Sequence, residues 1–376
     1  MAHLLATNDF PPKLGGIQSY LHELWRRLPP EEVAVYTTSY PGAEAFDSEQ
    51  PFDVVRARRT QLWPTPSVTR QVEELAASRL ARAVLIDPAL PLGLVGRRLS
   101  RPYGLILHGA EVTVPGRTPG ASKLLSSVLS AASFVLAAGA YPEAEARRAA
   151  GARLPPVAVI PPGVDVGRFS PLGEDSRRQV RERFGLPADC LLLLSLHRLV
   201  PRKGVDVLIK AVARLRPSHP ELVLAVGGSG RDEARLRKIA AAAGLEVFFL
   251  GAVSEEEKPA LYGAADVYSM CCRNRWGGLE QEGFGIVFLE AAACGVPQLA
   301  GRSGGAADAV VDGETGLVVS RPADVGEVTE ALEALVTDAG LRLRLGKAAR
   351  QRAEAEFSYD KVALKLERAL EGFAAL

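Results

Sequence analysis

Short apolar runs, each bounded by Gly, Pro or Asp, alternate along almost the whole chain with segments of helical period. That alternation restricts the fold more than any other feature, because it is the pattern that builds parallel sheets through right-handed crossovers. In the first half the expected strands are residues 2–7, 33–38, 54–56, 83–86, 103–107, 134–137 and 157–160. In the second half they are 191–196, 222–226, 247–250, 267–270, 296–300 and 316–319. Several are apolar on both faces, as strands covered by helices on both sides are. The pattern breaks once, at PPGVDVGRFSPLGEDS (161–176), where prolines and glycines replace any periodicity. It then restarts with a helical stretch and a strong strand. Two similar doubly wound α/β domains, facing each other across a cleft, are therefore expected. A length of 376 residues agrees, since single cores usually split beyond roughly 250–300 residues. A final amphipathic helix is expected over 359–373.

Composition excludes several classes. With 45 Lys plus Arg against 44 Asp plus Glu, the formal charge of +1 supplies no bulk attraction for nucleic acid. Cys190, Cys271, Cys272 and Cys294 show neither a disulfide framework nor CxxC metal spacing, so buried thiols in a reducing compartment, the cytoplasm, are expected. The opening MAHLLATNDFPPK has no basic segment followed by a long apolar run, and no stretch reaches the roughly 18 apolar residues of a membrane span. Any membrane contact is expected to be peripheral. GLRLRLGK (340–347) has the wrong spacing for a phosphate loop, and GSGRDE (228–233) lacks the third glycine of a dinucleotide fingerprint.

Three constellations carry chemistry. After the first strand, Gly15 and Gly16 stand where a helix begins, so their amides could meet an anion with the helix dipole behind them; two glycines alone would equally make a flexible turn. SLHRLVPRKG places Arg198 and Lys203 just beyond the strand 191–196, where ligands of open α/β sheets collect. Two cations there suit a diphosphate, although a surface charge cluster would look alike. The most specific signal is EGFGIVFLEAAACGVP. Glu282 and Glu290 flank a glycine-broken turn and a helix start, so the amides of Phe284, Gly285 and Ile286 come together with two carboxylates. That set suits a ligand bearing both phosphate and sugar hydroxyls.

Taken with GGIQSY and PPGVDVGRFSP, these phrases resemble family 4 of the retaining glycosyltransferases, over nearly the whole chain. Within that family, TNDFPPKLGGIQSYL, RLVPRKG and RNRWGGLEQEGFGIVFLEAAACGVP look most like the actinobacterial phosphatidylinositol-mannoside α-mannosyltransferases. The resemblance implies an α/β protein of the GT-B fold, with two doubly wound Rossmann-like domains around a central cleft. It implies an acceptor-binding domain at 1–165, a nucleotide-sugar-binding domain at 166–355, and a C-terminal helix at 356–376 packing back on the first domain. The implied reaction is mannose transfer from GDP-mannose to a phosphatidylinositol (mannoside) glycolipid, with no metal and no cofactor besides the donor, at the inner face of the plasma membrane. A hexosyltransferase using a UDP- or ADP-sugar is the same-fold rival; a binding module without catalysis and a nucleotide-sugar epimerase are more distant ones.

Residue by residue, the resemblance makes Gly15 and Gly16 a backbone contact to the donor diphosphate and Arg198 and Lys203 its cationic clamp. Glu290 resembles the ribose-binding residue. Glu282, with the backbone of Phe284, Gly285 and Ile286, resembles the hexose and phosphate contact. His108, in LILHGAEV, stands where the family often places a histidine near the transferred sugar, and Gly227 with Gly228 resembles a turn lining the nucleotide pocket. Two departures bear on the acceptor: Gly109 and Ala110 follow His108 where close relatives carry HGHE, and AAGAYP (137–142) replaces a more hydroxyl-rich segment. The first-domain strand ends show no paired carboxylates of the glycosidase kind, which favours front-face transfer. Arg56, Arg58, Arg59, Leu62 and Trp63 could form a basic, aromatic-tipped patch for anionic lipid, or a solvated edge strand.

Overall fold

The computed structural model describes residues 1–374. The chain divides into two compact units, Met1–Gly163 with Tyr359–Leu376, and Val164–Ser358. The first unit holds a 7-stranded sheet in the order β3-β2-β1-β4-β5-β6-β7. Its strands are β1 (His3–Thr7), β2 (Val33–Thr38), β3 (Asp53–Ala57), β4 (Ala83–Asp87), β5 (Tyr103–Leu107), β6 (Phe134–Ala137) and β7 (Val157–Val159). The second unit holds a 6-stranded sheet ordered β10-β9-β8-β11-β12-β13. It comprises β8 (Leu191–Leu196), β9 (Leu222–Gly227), β10 (Val247–Gly251), β11 (Val267–Met270), β12 (Gln298–Gly301) and β13 (Gly316–Val319). All pairings are parallel, and each sheet carries an apolar core on both faces. The expected strands are all present, with ends shifted by a residue or two.

Strand order reverses between β1 and β4 in one unit and between β8 and β11 in the other. At such a switch point the loops after the two strands diverge to opposite faces and leave a crevice at the carboxyl ends. The residues leaving β1 and β4 are Asn8 and Pro88; those leaving β8 and β11 are His197 and Cys271. Both candidate sites are therefore positioned by topology before any side chain is considered.

The boundaries differ slightly from the sequence expectation of 166–355 and 356–376. Val164 donates its N–H to the Phe357 carbonyl at 2.8 Å and bridges to Ser358, so 356–358 belong with the second unit. The helix Tyr359–Ala374 packs on the first helix, Gly16–Trp25, inside the first unit, where Arg27 also pairs with Asp360 at 2.8 Å. Its buried Val362, Leu366 and Leu370 form the inward stripe.

Close backbone approach shapes the second unit's crevice. Gly204, at φ 75, opens the helix Val205–Leu215, and a Cβ there would stand 2.0 Å from the Cys271 carbonyl oxygen. Gly185 has a similar φ of 68 but open space around it. The pair separates strain from collision. Gly185→Ala should lower stability by about 1 kcal/mol, the left-handed backbone cost alone. Gly204→Ala must also displace the β8 or β11 loop and should cost several times more, read as the fall in urea midpoint at unchanged slope.

Candidate functional site

In the second unit, the turn Pro201–Lys203 follows β8 and aims Lys203 under the sheet's carboxyl edge. Lys203 is 7 % exposed and donates to Glu282 Oε2 at 2.7 Å and to Met270 Sδ at 3.2 Å. Arg202, which the sequence left unassigned, stands 3.7 Å from both Glu280 and Glu282. Burial alone would raise the Glu282 carboxyl pKa; Lys203 first and Arg202 next outweigh it, and the group is held below its ordinary value. Glu282 is thus an ionised carboxylate with a buried ammonium against it. Arg198 is exposed and has no ion-pair partner among the described residues.

The loop that carries Glu282 is held by backbone contacts. Its N–H reaches Ser303 Oγ at 3.2 Å, its carbonyl accepts from Gly305 at 3.0 Å, and Ser303 Oγ donates to Asn274 Oδ1 at 2.7 Å. A Cβ on Gly304 would stand 2.0 Å from the Glu282 oxygen. Beyond it, Gly285 adopts φ 89 and caps the helix Ile286–Ala293. The amides of Phe284, Gly285 and Ile286 make no backbone or side-chain hydrogen bond among the described residues. Unpaired amides at a helix start form an anion seat.

Glu290 lies inside that helix, 9 % exposed. Its Oε2 and the hydroxyl of the fully buried Tyr262 make no hydrogen bond of good geometry, although the two groups lie near enough for the hydroxyl to favour the carboxylate. Burial raises the Glu290 pKa, with Lys258 and the neighbouring Tyr262 pulling back only partly. A buried acceptor left open in this way costs free energy until a donor arrives. Gly227 and Gly228 are closely packed: a Cβ on the first would meet the Leu196 side chain at 2.6 Å, and on the second the His197 carbonyl oxygen at 2.0 Å.

In the first unit the anchor is His108, directly after β5. Its Nε2 meets Asp87 Oδ1 at 3.0 Å, and Asp87 Oδ2 accepts from Thr7 Oγ1 at 2.7 Å. The β1/β4 register, which places Thr7 opposite Asp87, makes that chain possible. Tyr20 closes on the imidazole edge-on at 5.4 Å. Glu111 accepts from the His108 and Gly109 amides, and Asp9 accepts from Lys13 and Gln18. Carboxylates are therefore present at these strand ends, and each is already engaged. Asp87 could have been found from sequence as the charged residue closing the apolar run AVLID. The amides of Gly15, Gly16 and Ile17 are free of hydrogen bonds among the described residues, and the first helix starts at Gly16.

The proposed lipid patch splits. Arg56 is turned inward, bonded to Asp47, the Thr38 carbonyl and the Pro11 carbonyl, and Leu62 is fully buried; Arg58, Arg59 and Trp63 remain exposed. Period-two reasoning could not see that Asp47 would reach Arg56. GLRLRLGK lies in the helix Ala339–Arg352. Among the described residues no group of three or more His, Cys, Asp or Glu is placed to hold a metal ion, and no helix is long and apolar enough to cross a membrane.

Two parallel Rossmann-like sheets, with anion seats at helix starts and a cation-carboxylate pair at a switch point, are the architecture of GT-B glycosyltransferases. Residues 176–352 match the model of glycosyl transferases group 1. The GDP-mannose-dependent alpha-(1-6)-phosphatidylinositol monomannoside mannosyltransferase of Mycolicibacterium smegmatis is 38% identical over 98% of both chains. The GDP-mannose-dependent monoacylated alpha-(1-6)-phosphatidylinositol monomannoside mannosyltransferase of Corynebacterium glutamicum is 35% identical over 98% of this chain and 97% of its own. The chain belongs to the group 1 glycosyl transferases. In structure it is similar to HepE of Anabaena in complex with UDP, at TM-score 0.83 and 20% identity over 99% of this chain and 100% of that one. The sucrose-phosphate synthase of Thermosynechococcus elongatus superimposes at TM-score 0.81, with 22% identity over all of both chains.

The His108 environment is testable directly. Burial would lower its pKa, but Asp87 foremost, then Glu111 and Asp9, raise it above the ordinary 6.5. Its stabilising contribution is complete below that unfolded value and is lost as pH rises through the folded one. Proton NMR of the imidazole should show a midpoint above 6.5 in the parent, falling below the parent value in Asp87→Asn.

Proposed function

We propose that this protein transfers mannose from GDP-mannose to a phosphatidylinositol-type glycolipid with retention at the anomeric carbon. The observation that carries the reading is the whole-length likeness to the two bacterial mannosyltransferases. It is supported by a second-unit crevice furnished for one sugar nucleotide. Arg198, Lys203 and the amides of Phe284, Gly285 and Ile286 take the diphosphate. Glu290 Oε2 takes a ribose hydroxyl, and Glu282, kept ionised by Lys203, accepts from the hexose. For Gly15, Gly16 and His108 of the first unit the reading keeps the roles that the family resemblance implies, amide contacts to phosphate and a donor to the sugar.

The reaction proceeds on one face. The bond between the anomeric carbon and the phosphate oxygen breaks, the acceptor hydroxyl oxygen bonds to that carbon from the same side, and its proton passes to the leaving phosphate. The carboxylates beside His108, namely Asp87, Asp9 and Glu111, are already engaged in hydrogen bonds, which favours this course over a carboxylate nucleophile. The cations and amides stabilise charge as it grows on the leaving group, a preorganised electrostatic role. They supply that charge without a metal, so activity is expected to survive EDTA; loss on chelation, restored by magnesium or manganese, would count against it. Exposed Arg58, Arg59 and Trp63 suit peripheral contact with an anionic lipid surface at the cytoplasmic membrane face.

Calorimetry with GDP, UDP and ADP tests the donor: GDP should bind, and binding of UDP without GDP would retire the mannosyl reading. Glu290→Gln should weaken GDP binding about ten- to a hundredfold, the worth of a charge-assisted hydrogen bond. Arg198→Ala removes an exposed side chain and so leaves folding intact. It should lower kcat by about a hundredfold; unchanged kcat with a raised KM for the donor would contradict the leaving-group role.

A further inference from the structure

His197, between β8 and Arg198, is buried and is used by nothing above. Its ring makes two contacts: Nδ1 with the Arg198 carbonyl at 3.0 Å and Nε2 with Ser195 Oγ at 3.0 Å. Ser195, fully buried, in turn donates to the Ser269 carbonyl at 2.8 Å. Both carbonyls can only accept. Nδ1 must therefore carry a hydrogen for Arg198, and the single Ser195 proton goes to Ser269. The contact between Nε2 and Oγ is then left without a proton when the ring is neutral, because a neutral imidazole carries one N–H. Only the imidazolium makes all three bonds.

The charged groups facing the ring are Lys203 and Arg202 from the turn after β8 and Glu282 from the loop after β11, with Arg198 next in the chain. Burial, then Lys203, pushes the imidazole pKa down to about 3, so the unliganded ring is neutral and one contact is unmade. Negative phosphate charge arriving at Arg198 and Lys203 offsets the lysine that lowers it and so moves it upward, toward the imidazolium that completes all three bonds.

We propose that His197 is a positioning residue for the donor: arrival of the diphosphate at Arg198 and Lys203 draws one solvent proton onto the imidazole, which then donates to Ser195 Oγ and to the Arg198 carbonyl at once and locks the backbone that aims Arg198. The inference rests on the diphosphate reading above. It makes donor affinity proton-linked: the tightening is present below the bound-state pKa of His197 and is lost as pH rises through it.

The test is calorimetry of GDP-mannose binding without acceptor, in buffers of low and high ionisation enthalpy. GDP-mannose is chosen because its diphosphate is esterified at both ends and does not itself titrate near neutrality. The parent should take up about 0.3 to 1 proton per site near pH 6.5, and its Kd should rise with pH with the matching slope. His197→Gln should lose both the uptake and the slope while keeping its alkaline affinity within a few-fold. Ser195→Ala, which removes the conflicting oxygen and leaves the imidazole in place, should reduce the uptake as well. Binding without uptake in the parent overturns the inference alone, as does uptake that persists in His197→Gln and so belongs to His108 or another group. Absence of binding by GDP-mannose, UDP-glucose and ADP-glucose alike overturns the diphosphate reading and this inference with it.

Discussion

The buried pair of Lys203 and Glu282 ties the loop after β8 to the loop after β11, and the furniture of the second unit's crevice hangs on it. Both side chains are more than nine-tenths buried, so each offsets part of the hydration the other has lost. Such pairs add little net stability compared with apolar residues of the same volume, yet removing one member typically costs about 3–5 kcal/mol. Their presence is better explained by what they hold ready. A pre-ionised carboxylate and an ammonium sit side by side beneath free helix-start amides, and none has to reorganise when a ligand carrying phosphate and hydroxyls arrives. The glycines at 204, 304 and 305 exist to let the backbones come this close: each Cβ would fall within 2.1 Å of a carbonyl oxygen.

The two units repeat one topology with opposite chemistry. At the first unit's switch point Asp87, Asp9 and Glu111 surround His108, whereas at the second unit's Lys203 and Arg202 surround Glu282, with Arg198 exposed beyond. Carboxylates accept from hydroxyls and cations take phosphate. The sequence offers the same division, since its basic motif HRLVPRKG follows β8, whereas HGAE, with Glu111, follows β5. His108 and His197 also take opposite shifts from these fields: carboxylates raise the first, while burial and a lysine lower the second.

Much of this was legible in the chain. The strands announced themselves because a sheet covered on both faces leaves its strands few polar positions, and their ends were the least exact because fraying is decided by neighbours. Glu282, Glu290, Arg198 and Lys203 stood out because glycine and proline punctuate the segments around them. Asp87, Ser195, Ser269 and His197 did not, since their roles come from register and from contacts between residues as many as 80 positions apart. Arg56 points inward because Asp47 reaches back from a neighbouring helix, and Leu62 is buried where Asn8 bonds its backbone.

By itself the amino-acid order determined the alternation of strands and helices, the break between two α/β units, and the places where backbone amides and charged side chains gather at strand ends. Those are local properties, set by apolar periodicity and by the conformational limits of glycine and proline. Which charges are paired, which buried acceptors stay open and where a hydrogen-bond chain runs short of a proton were decided only when β1 lay beside β4 and β8 beside β11. Burial turns a sequence of ionisable groups into a set of coupled ones, and coupling depends on distance through space and not along the chain.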